Sequence, residues 1–195
     1  MYANPATNVL CLPFFTAEEC DELLDALDAQ PWRDARVASP IGPGVDHELR
    51  RCLLQEVRDA ALLQRLTDWL IETNNTYYQF EAWSFVDHDP VAAMRYEGGG
   101  HFDWHLDNAT AEMQSRKLSF TIQLCDPASY DGGNLEFAMY HQDFGGAAGY
   151  ASYREQIRQR GAITVFPAFH LHRVSPVTRG TRTALVGWLH GPRFR

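Results

Sequence analysis

The spacing of apolar residues changes character once along the chain. Cys20, Leu23, Leu24 and Leu27 recur at helical intervals behind Thr16-Ala-Glu-Glu19, a capping-box pattern, and predict a helix near residues 17–30. Residues 31–46, rich in proline and glycine (Pro31, Pro40, Gly42, Pro43, Gly44), predict a strand flanked by loops. From His47 to Thr73 the stripe Leu53, Leu54, Val57, Ala61, Leu62, Leu66 and Leu70 predicts a second, broken helical stretch. After Asn74-Asn75 the texture shortens to aromatic and β-branched runs cut by Gly, Asp and Pro: YYQFEAWSFV, VAAMRY, HFDWHLD, KLSFTIQLC, NLEFAMY, AITVFP, HRVSPV and TALVGWL. These predict seven or eight strands, an all-β sandwich or barrel behind two N-terminal helices. The exception is a Gly/Ala/Tyr stretch from Gly145 that runs into SYREQIRQR, read as an insertion at about 138–160 ending in a short helix. A loop of this length inside a compact domain is a candidate lid.

At 195 residues the chain suits one domain, with 1–75 as a helical support and 76–195 as the β core. The net charge of −8 disfavours non-specific nucleic-acid binding. That charge is uneven: residues 151–195 hold eight Arg against the single acid Glu155. The basic end either seeks an anion or pairs with the acidic N-terminal helices. Cys11, Cys20, Cys52 and Cys125 show no CxxC spacing and read as reduced, buried thiols. No signal-peptide pattern and no run of about 20 apolar residues is present, so a soluble cytoplasmic protein without a membrane partner is expected.

Eight His and 14 Asp in 195 positions give roughly 0.6 His-x-Asp pairs by chance, yet three occur: His101/Asp103, His105/Asp107 and His141/Asp143. On a strand, residues two apart share a face, so such a pair offers two of the three ligands of a facial iron site. His141/Asp143 adjoins the glycine-rich insertion, a poor place to hold ligand geometry. Parity places His101, Asp103, His105 and Asp107 on one face, which is too polar for an apolar core and is otherwise explained as a solvated edge strand.

Three ordered blocks, Tyr96-Glu-Gly-Gly-Gly-His-Phe-Asp-Trp-His105-Leu-Asp107-Asn, Asp131-Gly-Gly-Asn-Leu-Glu-Phe137 and Leu171-His172-Arg-Val-Ser-Pro-Val-Thr-Arg-Gly-Thr-Arg182, resemble the Fe(II)- and 2-oxoglutarate-dependent dioxygenases of the prolyl 4-hydroxylase-like branch. The resemblance covers about residues 80–190, with a weaker echo at Leu12–Cys20. It implies a double-stranded β-helix, or jelly roll, with the N-terminal helices packed on one sheet. It also implies metal ligands His105, Asp107 and His172, the last chosen over His170, which lacks the following pattern. The 67 positions between them (172 − 105) leave room for the intervening strands of a jelly roll.

Arg182 matches the family position that grips the far carboxylate of 2-oxoglutarate, a task suited to a planar guanidinium. Arg179, at the other parity, reads as a solvated loop residue. Trp188 resembles an aromatic that walls the site in relatives and reads equally as a core residue. Ser119, Thr121 and Gln123 alternate with apolar neighbours and should face the pocket. Gln123 stands near a position where some relatives use a Tyr against the cosubstrate, and Tyr96 is the other candidate for that contact. Gly132 and Gly133, before Leu135, look like the family's tight strand entry, where a side chain would obstruct close approach of the backbone.

The implied activity is a dioxygenase that hydroxylates an aliphatic C–H while 2-oxoglutarate and O2 are consumed, ascorbate being a possible helper. The substrate would be a prolyl or other residue of a peptide or protein. Alternatives are a free amino acid or small metabolite and, more distantly, a cupin-like metal dioxygenase without 2-oxoglutarate. An intact Asp107 disfavours halogenation. Around the mouth, Trp83, His101, Asp103, Trp104 and the 138–160 insertion spell no specificity code.

Overall fold

The computed structural model describes residues 2–4, 8–36, 44–85, 89–140 and 150–194. In chain order, strands β1 (Tyr2–Asn4) and β2 (Val9–Pro13) precede helix α1 (Ala17–Asp28). Then follow β3 (Arg33–Asp34), β4 (Arg50–Arg51), β5 (Leu53–Glu56) and helix α2 (Ala60–Thr73). The remainder comprises β6 (Ala92–Glu97), β7 (His101–His105), β8 (Arg116–Gln123), β9 (Asp131–Gly132), β10 (Leu135–Phe137), helix α3 (Tyr150–Ile157), β11 (Ala162–Pro167), β12 (His172–Val174), β13 (Val177–Arg179) and β14 (Thr181–His190).

One sheet of eight strands runs β1-β2-β11-β8-β14-β6-β5-β3, and a smaller one runs β10-β12-β7-β4. Together they form the jelly roll. On β8, Leu118, Phe120 and Ile122, with Leu124 just past the strand end, are buried with Ile163, Val165, Leu185 and Leu189 beneath the apolar stripes of α1 and α2. This outer layer sequesters the helices' hydrophobic faces, the arrangement expected of a sheet whose second face is kept for chemistry.

Helix α1 starts where the capping box predicts: Thr16 Oγ1 accepts from the Glu19 amide at 3.2 Å, and Glu19 accepts from the Thr16 amide at 2.8 Å. Helix α2 is capped by Asp59, which accepts from the Leu62 amide at 2.9 Å.

The predicted helical stretch from His47 is wrong in its first half. Residues 50–56 are extended because β4 pairs with β7 in the small sheet and β5 is drawn into the large sheet between β6 and β3, with Leu54 opposite Met94. The spacing of Leu53, Leu54 and Val57 suits either state, and strand pairing decides. The predicted strand over YYQFEAWSFV is also wrong. Asn74–Tyr78 is a π-helical turn continuing α2, Gln79 takes a left-handed φ of 57°, and the Asn74 side chain bonds both the carbonyl and the amide of Phe80. These local bonds supply what a strand ladder would otherwise provide. Strand β2, unforeseen in the sequence, fills the sheet beside β11, with Val9, Leu10 and Cys11 buried.

Two arginines of the insertion serve the frame. Arg158 donates to the carbonyls of Gly132, Pro127 and Tyr130 and to Asn134 Oδ1, at 2.7–3.1 Å, with its guanidinium 4.3 Å over the Tyr130 ring. Arg160 donates to the Leu124 carbonyl at 2.8 Å and pairs with Asp21 of α1. The candidate lid itself, with the pair His141/Asp143, falls on residues 141–149, outside the described residues, as do the side chains of Tyr150 and Tyr153. Arg158→Ala would strand four buried or half-buried acceptors. It should lower stability by about 2–4 kcal/mol in urea unfolding, whereas Gln159→Ala, on the exposed side, should change it by less than about 0.5 kcal/mol.

Candidate functional site

The inner face of the large sheet carries the alternating positions of three neighbouring strands. Across β6 and β14, Tyr96 faces Arg182, Met94 faces Ala184 and Ala92 faces Val186. Across β14 and β8, Val186 faces Thr121 and Trp188 faces Ser119. Against this face lies the small sheet, where His172 of β12 stands opposite His105 of β7. The two sheets enclose a cavity of about 60 Å³ lined by His105, Asp107 and His172 at one side and by Tyr96, Thr121 and Arg182 at the other.

His105, Asp107 and His172 each present one ligand atom within 4.8 Å of the others, a spacing suited to one metal ion. Both imidazole Nε2 atoms lie 3.6 Å from Asp107 carboxylate oxygens. Each ring is fixed by its own segment: His105 Nδ1 bonds the Asp103 carbonyl at 2.7 Å, and His172 Nδ1 bonds the His170 carbonyl at 2.8 Å. A carbonyl can only accept, so the proton sits on Nδ1 and Nε2 keeps its lone pair for a cation. Ser119 Oγ donates to Asp107 Oδ2 at 2.6 Å, and the Asp107 backbone is tied to the Ala168 carbonyl at 3.0 Å and, through its own carbonyl, to Arg116 Nη1 at 3.0 Å.

Burial, and then His105, lower the His172 imidazole to about 4, so it is neutral near pH 7. Burial alone would raise the Asp107 carboxyl, but the two histidines and Arg116 outweigh it and hold the group well below the usual carboxylate range. Neutral imidazole beside carboxylate is the protonation state that binds a divalent cation.

Arg182 is 4% exposed, and its guanidinium has no hydrogen bond or ion pair among the described residues; its nearest aromatic contact is the Tyr96 ring at 5.3 Å. A buried guanidinium left this way carries a desolvation cost that no group among the described residues offsets. Gly133 makes room for it: a Cβ there would sit 2.9 Å from Arg182 Cδ and 2.9 Å from Val177 Cγ2. At Gly132, φ is +73° and a Cβ would lie 2.0 Å from the Pro176 carbonyl oxygen, so the expected close approach of backbone is present at Gly132, while Gly133 makes room for side chains.

Outside the cavity, Trp104, His105, Asp107, Arg116 and Trp188 open onto a groove of about 580 Å³ that Arg33, Arg36 and Arg50 also line. Trp188 borders both spaces, 3.4 Å beneath the Arg116 guanidinium. It is therefore a wall of the site.

Other sequence candidates fall elsewhere. His101 bonds the carbonyls of Gly99 and Glu48 and borders a separate surface pocket, and Asp103 is exposed. The parity that put His101 and His105 on one face fails because β7 carries a bulge: His105 pairs with His172, but Phe102, three residues back, pairs with Val174, two residues on. The extra residue flips the face, and Phe102 stacks on His105 with ring centroids 3.5 Å apart. His170 is buried against Phe137 and Phe169, away from the cluster. Arg179 pairs with Asp131 at the surface. Gln123 shares the inner face and is 2% exposed, but it does not line the cavity, where Thr121 does.

Arg116 and Asp89 carry no mark of their role in the sequence. Their two-pronged ion pair, at 2.6 Å on each prong, braces the Asp107 carbonyl, and nothing in a basic residue at a strand start marks such a role. Arg50, on the rim of the groove, was likewise unmarked.

Comparison with known proteins gives this geometry a family. The model of the 2OG-Fe(II) oxygenase superfamily matches residues 91–190. The PKHD-type hydroxylase PiuC of Pseudomonas aeruginosa is 30% identical over 183 residues, covering 89% of this chain and 74% of the relative. Among solved structures, a Pseudomonas putida prolyl-4-hydroxylase aligns over 95% of this chain and 94% of its own, with a TM-score of 0.68 at 18% identity. The 2OG complex of the viral collagen prolyl hydroxylase from Paramecium Bursaria Chlorella virus-1 aligns over 95% and 97%, with a TM-score of 0.65 at 15% identity. The double-stranded β-helix is thus shared with prolyl hydroxylases, and the match to both the family model and PiuC makes the chain an iron- and 2-oxoglutarate-dependent dioxygenase of the 2OG-Fe(II) oxygenase superfamily.

Proposed function

We propose that His105, Asp107 and His172 hold Fe(II), that Arg182 binds the far carboxylate of 2-oxoglutarate, and that the enzyme hydroxylates an aliphatic C–H of a prolyl or other residue in a peptide or protein. The observation that carries this reading is a single cavity with three convergent ligands at one side and a buried, partnerless guanidinium at the other. A metal dioxygenase that made no use of an anionic cosubstrate would leave Arg182 buried without purpose. When bound, iron and 2-oxoglutarate supply the oxidative chemistry.

The chain's part is positional. Carbonyl-fixed imidazoles aim two Nε2 atoms at one point, Ser119 orients the carboxylate, and Arg182 with Tyr96 and Thr121 shapes the far end. Thr121 Oγ1 is buried with no hydrogen-bond partner among the described residues, which suits it to a cosubstrate oxygen. Trp188 and Phe102 give the mouth two aromatic walls among its charged residues. A groove of about 580 Å³ outside the inner cavity favours a peptide segment over a ligand enclosed on all sides.

Two sets of variants test the assignment. His105→Ala, Asp107→Ala and His172→Ala should each abolish turnover and weaken Fe(II) binding, while His101→Ala, Asp103→Ala, His141→Ala and His170→Ala retain the metal in an iron titration. A required His101 or His170 with a dispensable rival would overturn the ligand set. Arg182→Ala should raise the 2-oxoglutarate requirement about a hundredfold, the equivalent of about 2–3 kcal/mol for a lost charge-assisted two-pronged contact, and Arg179→Ala should do little. Cosubstrate affinity measured with Mn(II) in place of iron reads this directly.

A further inference from the structure

We propose that Arg50 anchors a carboxylate carried by the substrate close to the carbon that is hydroxylated. The inference rests on the preceding reading and narrows its substrate class to one bearing an anion. Arg50 sits on β4 opposite Phe102, at the open edge of the small sheet, and borders both the groove and the inner cavity. Its guanidinium lies 4.6 Å over the Phe102 ring, and that ring stacks on His105. His105 and Asp107 line both spaces together with Arg50, so the side chain stands beside the metal site on its groove side as well as inside.

What marks Arg50 is the poverty of its partners. Nε meets Cys52 Sγ at 3.2 Å, Nη2 meets Met94 Sδ at 2.9 Å, and Nη1 meets the Arg36 carbonyl at 3.4 Å. Thiol and thioether sulfurs are weak acceptors. Among the described residues no carboxylate bonds Arg50. Two other arginines of the same groove are paired: Arg33 with Glu56, and Arg116 with Asp89 at 2.6 Å. Arg36, also on the groove wall, is exposed to water and needs no such compensation.

Charge counting points the same way. Asp107 lines both spaces together with Arg50, and a bound dication would outweigh its charge. With a dication, Asp107, Arg50, Arg182 and dianionic 2-oxoglutarate together, the site keeps one net positive charge. One substrate carboxylate cancels it. Arg116 adds nothing to this count because Asp89 already balances it. The carboxylate can be the α-carboxylate of a free amino acid or chain end, or an acidic side chain within a peptide.

The test uses the full chain loaded anaerobically with Mn(II) and 2-oxoglutarate. Three probe sets are titrated and their dissociation constants measured calorimetrically: free L-amino acids including proline, aspartate and glutamate; the corresponding amino-acid α-amides; and N-acetylated aspartyl and glutamyl amides, which keep only the side-chain carboxylate. The expected result is at least one carboxylate bound about tenfold or more tightly than its uncharged counterpart. Arg50→Met should erase that difference and shift 2-oxoglutarate affinity less than about twofold, and Arg50→Lys should restore part of it. Preference for the free acids identifies an α-carboxylate; preference for the acetylated amides identifies an acidic side chain.

Equal binding of acid and amide across the wild-type panel overturns the proposal without any variant having to fold. A loss of 2-oxoglutarate affinity in Arg50→Met would also overturn it, assigning Arg50 to the cosubstrate. Wild-type protein that takes up no 2-oxoglutarate with Mn(II) would instead sink the underlying cosubstrate reading, and this proposal with it.

Discussion

The site depends on one strand pairing. β12 lies antiparallel to β7 with His172 opposite His105, and a single bulged residue in β7 decides which side chains of that strand face inward. Without the bulge the inward face would carry His101 and Asp103; with it, Phe102 and His105 turn in together and Asp107 follows just past the strand end. Backbone hydrogen bonding therefore sets the chemistry, and the ligand set would change with a slip of one residue.

Around that pairing the sheet-facing residues divide by charge environment. The eight C-terminal arginines serve different ends: Arg160 reaches the acidic helix α1, Arg173 pairs with Glu136 and Arg179 with Asp131, while Arg182 is left buried and uncompensated. The expectation that the basic end pairs with the acidic N-terminal helices holds for Arg160, and Arg182 is the residue to which the proposed function gives the anion. A guanidinium held in apolar surroundings without a carboxylate is an electrostatic cost that only a bound anion offsets.

Much of this was legible in the sequence. The capping box at Thr16, the alternation of Ser119, Thr121 and Gln123, and the spacing that sets Arg182 on the inner face all appear as patterns in the chain, because caps and strand parity are local. The bulge in β7 was not legible, since it arises from how β7 meets β12. The strand over 53–56 was hidden for a related reason: its apolar positions fit a helix until β6 supplies a partner. Arg116 with Asp89, and Arg50 with Met94, are contacts between segments 27 and 44 residues apart, and no local pattern announces them.

The fastening of the insertion has a consequence for how this fold can vary. Upstream, the Ala138 amide bonds the Leu171 carbonyl at 2.9 Å and Tyr140 is buried; downstream, Arg158 grips four acceptors of the frame. The chain between these two points has its ends fixed whatever its length. Closing a loop between fixed ends costs only about 0.6 kcal/mol more for each doubling of its residues. Residues added between two such anchors would therefore cost the frame little, so evolution, or an engineer grafting a reporter or a recognition peptide, has a place here to lengthen the polypeptide without unpicking the bonds that hold the β-helix at either end.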